Sequence, residues 1–246
     1  MRRLSWQVKF GAALVALSVV LYGLHFLLFH DMHHILIYFV GDVAFIPIEV
    51  LVVTIIIHQL LKSHERQSLL SKLNMVIGSF FSEVGTPLLR LFTSVDPTVE
   101  SLRGELAVTG EWSADDFKRA TEHLGRRDYT VEAEPQDFAR LRDFLNARRG
   151  FLLGLLANPN LLEHESFTDV LWAVFHLTEE LVRRDTLVGL PTSDYDHLAG
   201  DSARAYGRLA QEWLSYMTHL ESDYPYLFSL AVRTNPFDIA ATPIVA

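Results

Sequence analysis

Residues 10–29, FGAALVALSVVLYGLHFLLF, form a run of 20 residues without a formal charge. The polar interruptions of this run are Ser18, Tyr22 and His25. Because about 20 apolar residues at ~1.5 Å each cross the hydrocarbon core of a bilayer, the run predicts a membrane-spanning helix. A cleaved leader is the alternative, since Arg2, Arg3 and Lys9 could be its basic start, but the run exceeds the ~7–15 apolar residues expected there.

A second apolar run follows at residues 35–61, ILIYFVGDVAFIPIEVLVVTIIIHQLL. Its ionisable residues are Asp42, Glu49 and His58. As a helix it would extend about 40 Å, so it must tilt, kink or protrude from the bilayer. Only residues 30–34 separate the two runs, which predicts an antiparallel transmembrane hairpin over residues 1–61.

The basic residues around this hairpin predict its orientation. They lie at its two outer ends, at Arg2, Arg3, Lys9, Lys62, Arg66 and Lys72, and the connecting loop has no Lys or Arg. Because cytoplasmic flanks carry the excess of Lys and Arg, both termini should be cytoplasmic. We expect a multi-pass protein of a prokaryotic inner or plasma membrane, with the turn facing outside.

The rest of the chain predicts an all-α cytoplasmic bundle. Residues 62–95 have apolar residues at helical spacing up to a stop at Gly85-Thr86-Pro87, and they form either a juxtamembrane amphipathic stalk or a helix packed on the bundle. Within residues 96–246, helices are expected from a Ser113/Asp116 capping box to about residue 126, over 135–157, 161–184 and 194–222, and from Pro225. No alternating run is long enough for a sheet.

Charge and composition exclude several classes of function. The net charge of −9 divides into +2 for residues 1–95 and −11 for residues 96–246, so nucleic-acid binding is discounted. The chain has no cysteine, which excludes disulfides and thiolate chemistry. Common phosphate-loop, dinucleotide, GxSxG and kinase motifs are absent from the sequence, so an enzyme is the less favoured class and no catalytic residue is assigned. His176, Asp185 and residues 233–237 could line a ligand site, although a packed histidine and a packed tail explain them as well.

Two acidic residues in the second run could form an ion path. Asp42 and Glu49 are seven residues apart and share one helix face, and Gly41 and Pro47 predict a close approach and a kink beside them. An ionised residue at membrane depth costs at least ~2.5–3.5 kcal/mol, so it usually faces protein or water. The structural alternative is that Asp42 lies near the outer interface, where it snorkels or pairs with a histidine, and that Glu49 is protonated and hydrogen-bonded between helices.

A second set of polar residues surrounds the predicted turn. His25, His30, Asp31, His33 and His34 could bind a transition-metal ion, could titrate as a pH sensor, or could form an ordinary interfacial turn. The spacing His30-x-x-His33-His34 resembles one histidine box of the membrane fatty-acid desaturases and hydroxylases. Those enzymes need several such boxes and further spans, and this sequence holds no second box.

Three functional hypotheses follow from these residues. The first is a homo-oligomeric ion channel or metal-cation transporter, because two spans cannot enclose a path alone. The second is a sensor or scaffold that responds to external metal or pH and acts on a cytoplasmic protein partner. The third is a membrane-embedded metalloenzyme acting on lipid or quinone. Membrane lipids are expected partners in all three.

Overall fold

The structure is a computed structural model that describes residues 6–245, with the side chains of Gln7 and residues 62–73 and 162–163 outside the description. All secondary structure in the described residues is helical, so the predicted all-helical class is confirmed. The α-helices are α1 (Trp6–Phe29), α2 (Met32–Phe80), α3 (Thr86–Thr93), α4 (Val99–Glu105), α5 (Ala114–Leu124), α6 (Pro135–Leu156), α7 (Glu165–Val182), α8 (Thr192–Asp223) and α9 (Pro225–Arg233). The chain divides into two compact units, Met1–Arg66 and Gln67–Ala246.

The first unit contains α1 and the first part of α2. Val8–Phe29 and Met32–Leu61 are long and apolar enough to cross a membrane, and neither is buried in the chain itself. The turn is shorter than the five residues expected, because α1 ends at Phe29 and α2 begins at Met32. His33 and His34 therefore belong to the first turn of α2. Of the predicted basic flanks, Arg2 and Arg3 and the side chains of Lys62, Arg66 and Lys72 lie outside the described residues.

The helix that leaves the hairpin does not stop at Gly85-Thr86-Pro87, contrary to the sequence-based expectation. A π-helix, Phe81–Gly85, follows α2 directly and leads into α3, where Pro87 occupies the first turn. The Thr86 N–H still donates to the Phe81 carbonyl, and Pro87 follows at a first-turn position of α3, where proline is common. The stretch Asn74–Thr93 is also apolar and long enough to cross a membrane, but part of it is buried in the second unit.

Residues 77–92 belong to the core of the second unit. The side chains of Ile77, Phe80, Phe81, Val84, Leu88, Leu89 and Phe92 are all buried. This part of the segment therefore packs on the helical bundle, the second of the two arrangements expected for residues 62–95. The apolar face expected further upstream, at Leu69, Leu70 and Leu73, lies outside the described side chains.

The remaining helices follow the local signals of the sequence. Ser113 caps α5 and forms the predicted capping box with Asp116. The pKa of Asp116 is lowered, and the largest cause is the hydrogen bond from the Ser113 hydroxyl. The helix predicted from residue 161 begins at Glu165 instead, because Pro159–Glu163 forms a short 3₁₀ helix and His164 caps α7. The apolar face predicted for α7 is buried, at Phe167, Val170, Leu171, Val174, Leu177 and Leu181.

Gly85 is required by the packing of the π-helix. An added Cβ would lie 2.5 Å from Cδ1 of Phe81 and 3.2 Å from Cε1 of Phe80, and both rings are buried. We expect Gly85→Ala to reduce the unfolding free energy of the bundle by about 1–3 kcal/mol, because overpacked cores must shift. Chemical denaturation of the full chain, followed by circular dichroism, measures this loss.

Gly150→Ala is the matched control, because Gly150 lies within α6 and an added Cβ there meets no atom within 4 Å. This substitution should stabilise the helix by about 0.5–1 kcal/mol. Equal stability of the two alanine variants would contradict the close packing at Gly85.

Candidate functional site

The turn of the hairpin is built by His30 and Asp31. His30 has a φ of 50°, a left-handed conformation that histidine adopts more readily than most residues, and its N–H donates to the Phe26 carbonyl at 2.9 Å. The Asp31 carboxylate accepts a hydrogen bond from the His34 N–H at 3.1 Å. Asp31 therefore caps the N-terminus of α2, where side-chain acceptors satisfy otherwise unpaired N–H groups.

Next to this turn, a histidine of α1 stacks against a histidine of α2. The rings of His25 and His34 are nearly parallel, with an interplanar angle of 10° and centroids 6.3 Å apart. Phe29 lies 4.8 Å from His25, and Tyr38 lies 4.7 Å from His34, both measured between ring centroids. His25 is half-buried although most of the hairpin is exposed, and its Nε2 is buried without a hydrogen-bond partner.

A second polar contact joins the two helices further from the turn. The Tyr22 hydroxyl donates to Oδ2 of Asp42 at 3.4 Å. A partner for Asp42 is thus found within its own chain, and it is a tyrosine rather than one of the expected histidines. A long hydrogen bond of this kind stabilises a helix pair modestly.

Glu49 and its neighbours lie on the exposed surface of the single hairpin. The helix α2 continues through both Gly41 and Pro47. A Cβ added at Gly41 would meet no atom within 4 Å, so the close approach expected at this glycine does not occur within one chain. Asp42 and Glu49 remain on one helical element, seven residues apart.

The predicted metal cluster is not assembled. Across the residues that the structure describes, no three His, Asp or Glu side chains are arranged to hold a metal ion. That range includes all five predicted ligands, His25, His30, Asp31, His33 and His34. Their observed contacts instead cap α2 and pair the two helices.

The second unit contains a groove at the π-helix. Its volume is about 550 Å³, and α2, the π-helix, α8 and α9 line it. His219 is one of the lining residues, and its Nδ1 lies 2.9 Å from the Asp223 carboxylate. The sequence gives no signal for this groove, because a π-helix has no simple residue pattern.

The residues considered for a ligand site in the bundle do not come together. His176 of α7 lies 3.2 Å from the buried Asp201 of α8, measured from Nε2 to Oδ2, whereas Asp185 is exposed. The tail is packed into the core: Asn235 donates to the Leu106 carbonyl at 2.8 Å, and Phe237 stacks edge-on against Trp213. The tail therefore has a structural role.

Glu212 of α8 is a buried acidic residue that lies next to His164 at the start of α7. Its side chain is only 5% exposed, and burial raises its pKa, while the Ser166 hydrogen bond and His164 oppose the rise. Oε1 of Glu212 lies 4.0 Å from Nδ1 of His164. Burial dominates because the charged form loses its hydration.

Both units correspond to defined helical domains. The N-terminal helical domain of MJ1433 matches residues 2–61, and the domain described as "Uncharacterized protein MJ1433, C-terminal helical domain" matches residues 69–233. The chain thus combines an apolar helical hairpin with a helical bundle, and it belongs to the MJ1433 family. The division between the compact units, at residues 66 and 67, falls in the interval between the two matches.

A relative in Methanocaldococcus jannaschii is similar over nearly the whole chain. This relative, uncharacterized protein MJ1433, is 45% identical over 233 residues, which cover 95% of this chain and 94% of the relative. No solved structure matches the chain. The similarity therefore spans the sequence of both the hairpin and the bundle.

Replacing Glu212 by glutamine tests the cost of burying the acid. A raised pKa makes the folded state hold its proton more tightly, so the stability of the native chain falls as pH rises above about 4.5. Glutamine cannot ionise, so Glu212→Gln should raise the thermal midpoint at pH 8 and leave it nearly unchanged at pH 4. Differential scanning fluorimetry at both pH values measures the difference, and a midpoint lowered at pH 8 would contradict the raised pKa.

Proposed function

We propose that the protein is a membrane sensor in which protonation of the hairpin is transmitted to the helical bundle. The observation that carries this proposal is the contact between His25 of α1 and His34 of α2, 6.3 Å apart at their ring centroids. Imidazoles change charge between about pH 5 and 8, so a histidine pair between two helices can respond to ambient pH. Protons are favoured over a metal as the stimulus, because the pair needs no further ligand.

Protonation changes this contact in two ways. Two imidazolium ions 6.3 Å apart repel each other by about 3 kcal/mol at an effective dielectric constant of about 20. A charged His25 must also donate a hydrogen bond from Nε2, and that atom is buried without a partner. The end of the hairpin therefore rearranges unless a nearby acceptor moves in. The titratable groups near the pair are His30, Asp31, His33, Tyr38 and the Tyr22–Asp42 contact.

The helix α2 connects the histidine pair to the bundle. It begins at Met32, two residues before His34, and continues to Phe80 in the core of the second unit. A turn or shift of this helix would change the packing of Ile77 and Phe80, both of which are buried. The adjacent π-helix is an irregular element of the kind often found at functional sites. The bundle then changes its affinity for a protein partner.

The proposed topology places the hairpin across a membrane, surrounded by lipid. The basic flanks favour cytoplasmic termini, which leaves the histidine pair near the outer surface. An external proton could then reach His25 and His34 from the water phase. The bundle would face partners in the cytoplasm.

Spin labels on introduced cysteines test the sensor directly, because the native chain has no cysteine. One pair, at the exposed positions Leu28 and Leu36, reports on the hairpin, and another, at the exposed Met75 and Tyr226, reports on the bundle. In nanodiscs, both electron-spin distances should change between pH 8 and pH 5. His25→Phe and His34→Phe should abolish both changes, because phenylalanine keeps a ring but cannot be protonated.

His33→Phe is the matched control, since His33 is exposed in the same turn of α2. This variant should respond to pH as the native chain does. The sensor proposal fails if the distances are independent of pH, if only the hairpin pair moves, or if His25→Phe leaves the response intact.

A second function, a homo-oligomeric cation path, is favoured by the exposure of Glu49. An acidic residue exposed on an apolar membrane helix needs protein or water around it, and a second copy of the hairpin could supply both. If several copies of the chain turned this face of α2 towards one another, their Glu49 carboxylates would come together. The Asp42 oxygens that do not accept from Tyr22 would lie on the same path. The open surface at Gly41 would allow a neighbouring helix to approach.

Cation flux into proteoliposomes distinguishes this path from the sensor. If the path exists, the native chain conducts, and Glu49→Gln lowers the flux at least tenfold by removing the charge. Glu83→Gln, in the exposed part of the π-helix, is the matched control and should leave flux unchanged. Absence of flux from the native chain at several pH values, or equal flux from Glu49→Gln, would eliminate the ion path.

A further inference from the structure

Four side chains of the bundle form a ring in which imidazole and carboxylate groups alternate. His176 and Glu180 are one helical turn apart on α7, and His197 and Asp201 are one turn apart on α8. The Nε2 atoms of His176 and His197 lie 3.2 Å and 3.4 Å from the same oxygen, Oδ2 of Asp201. Glu180 completes the ring with two different oxygens: its Oε1 lies 4.0 Å from Nε2 of His176, and its Oε2 lies 3.7 Å from Nε2 of His197.

The carboxylate shared by the two histidines is buried and incompletely paired. Asp201 is 3% exposed, and its Oδ2 has no hydrogen-bond partner despite the two nearby imidazoles. A buried acceptor without a partner is unfavourable, and a cation would satisfy it. The two histidines are about half exposed, so the ring is open to solvent on their side.

Each carboxylate of the ring also accepts a hydrogen bond from an arginine. Arg204 donates to Oδ1 of Asp201 at 2.8 Å, which leaves Oδ2 facing the histidines. Arg184 donates to Oε2 of Glu180 at 2.8 Å and also binds Asp194 through two nitrogens. Hydrogen bonds of this kind orient the carboxylates that bind metal ions.

We propose that His176, Glu180, His197 and Asp201 bind one divalent transition-metal ion of the zinc class. Ligands about 2.0–2.2 Å from a tetrahedral zinc ion lie about 3.3–3.6 Å from one another. Two sides of the ring, at 3.2 Å and 3.4 Å, are already close to this spacing. Since no described group of three is already arranged to hold a metal, Glu180 must move towards the two histidines on binding and present the same oxygen to both.

The chemistry of the donors selects the ion. Imidazole nitrogen combined with carboxylate oxygen suits zinc, cobalt, nickel and iron, whereas magnesium and calcium prefer oxygen alone. Arg204 and Arg184 already pair with the two carboxylates, so the ion would share these carboxylates with the arginines. The ion would link α7 to α8 and stabilise the bundle, independently of the hairpin sensor.

Cobalt and zinc binding to the full chain in mild detergent test the site. His30, His33 and His34 are first replaced by glutamine so that the hairpin histidines do not contribute. We expect one Co²⁺ per chain with visible d–d absorption, displacement by Zn²⁺, and a rise in the thermal midpoint on adding Zn²⁺. His176→Gln and His197→Gln should each weaken binding at least tenfold and abolish the rise.

His123→Gln is the matched control, because His123 is an exposed histidine on α5, outside the ring. It should bind metal like the parent, and circular dichroism verifies that each variant is folded. The proposal is overturned if the parent shows neither Co²⁺ absorption nor stabilisation by Zn²⁺, or if both ring-histidine variants bind with unchanged affinity.

Discussion

The apolar surface of the hairpin is the constraint on which the rest of the structure depends. Neither Val8–Phe29 nor Met32–Leu61 is buried by the chain's own atoms, so these helices present a broad hydrocarbon surface. Exposing such a surface to water is strongly unfavourable. A lipid bilayer would surround it with apolar chains, and a helix suits that environment because its backbone hydrogen bonds are satisfied internally. Polar side chains on these helices then become informative. Tyr22 with Asp42, and His25 with His34, are contacts between the two helices.

The continuity of α2 links that constraint to the bundle. The same helix carries His34 near its beginning and the buried Phe80 at its end. The π-helix then lets the chain enter α3 without a loop, and Gly85 provides the space that the Phe81 ring needs. The MJ1433 family combines both helical domains, and the relative from Methanocaldococcus jannaschii aligns with 95% of the chain. A functional account therefore has to use the hairpin and the bundle together.

Local signals were enough to predict most helices but not the contacts between them. The Ser113–Asp116 capping box and the proline at the start of α9 act within a few residues, so the sequence predicts them correctly. The pairing of Tyr22 with Asp42 depends on the register of two helices, which hydrophobic periodicity does not define. The π-helix was missed for a similar reason, since Gly85-Thr86-Pro87 is an ordinary stop signal until tertiary packing is known. The i, i+4 spacing of His176 with Glu180, and of His197 with Asp201, is visible in the sequence. That both histidines approach Asp201 depends on the packing of α7 on α8.

The proposed topology places the turn and the bundle on opposite sides of a membrane. Labelling of single cysteines by a membrane-impermeant maleimide in intact cells tests it, because the native chain contributes no cysteine background. With His33→Cys in the turn and Ser101→Cys in the bundle, the account predicts that position 33 is labelled in intact cells and position 101 only after permeabilisation. Labelling of both positions in intact cells, or labelling of position 101 alone, would contradict it.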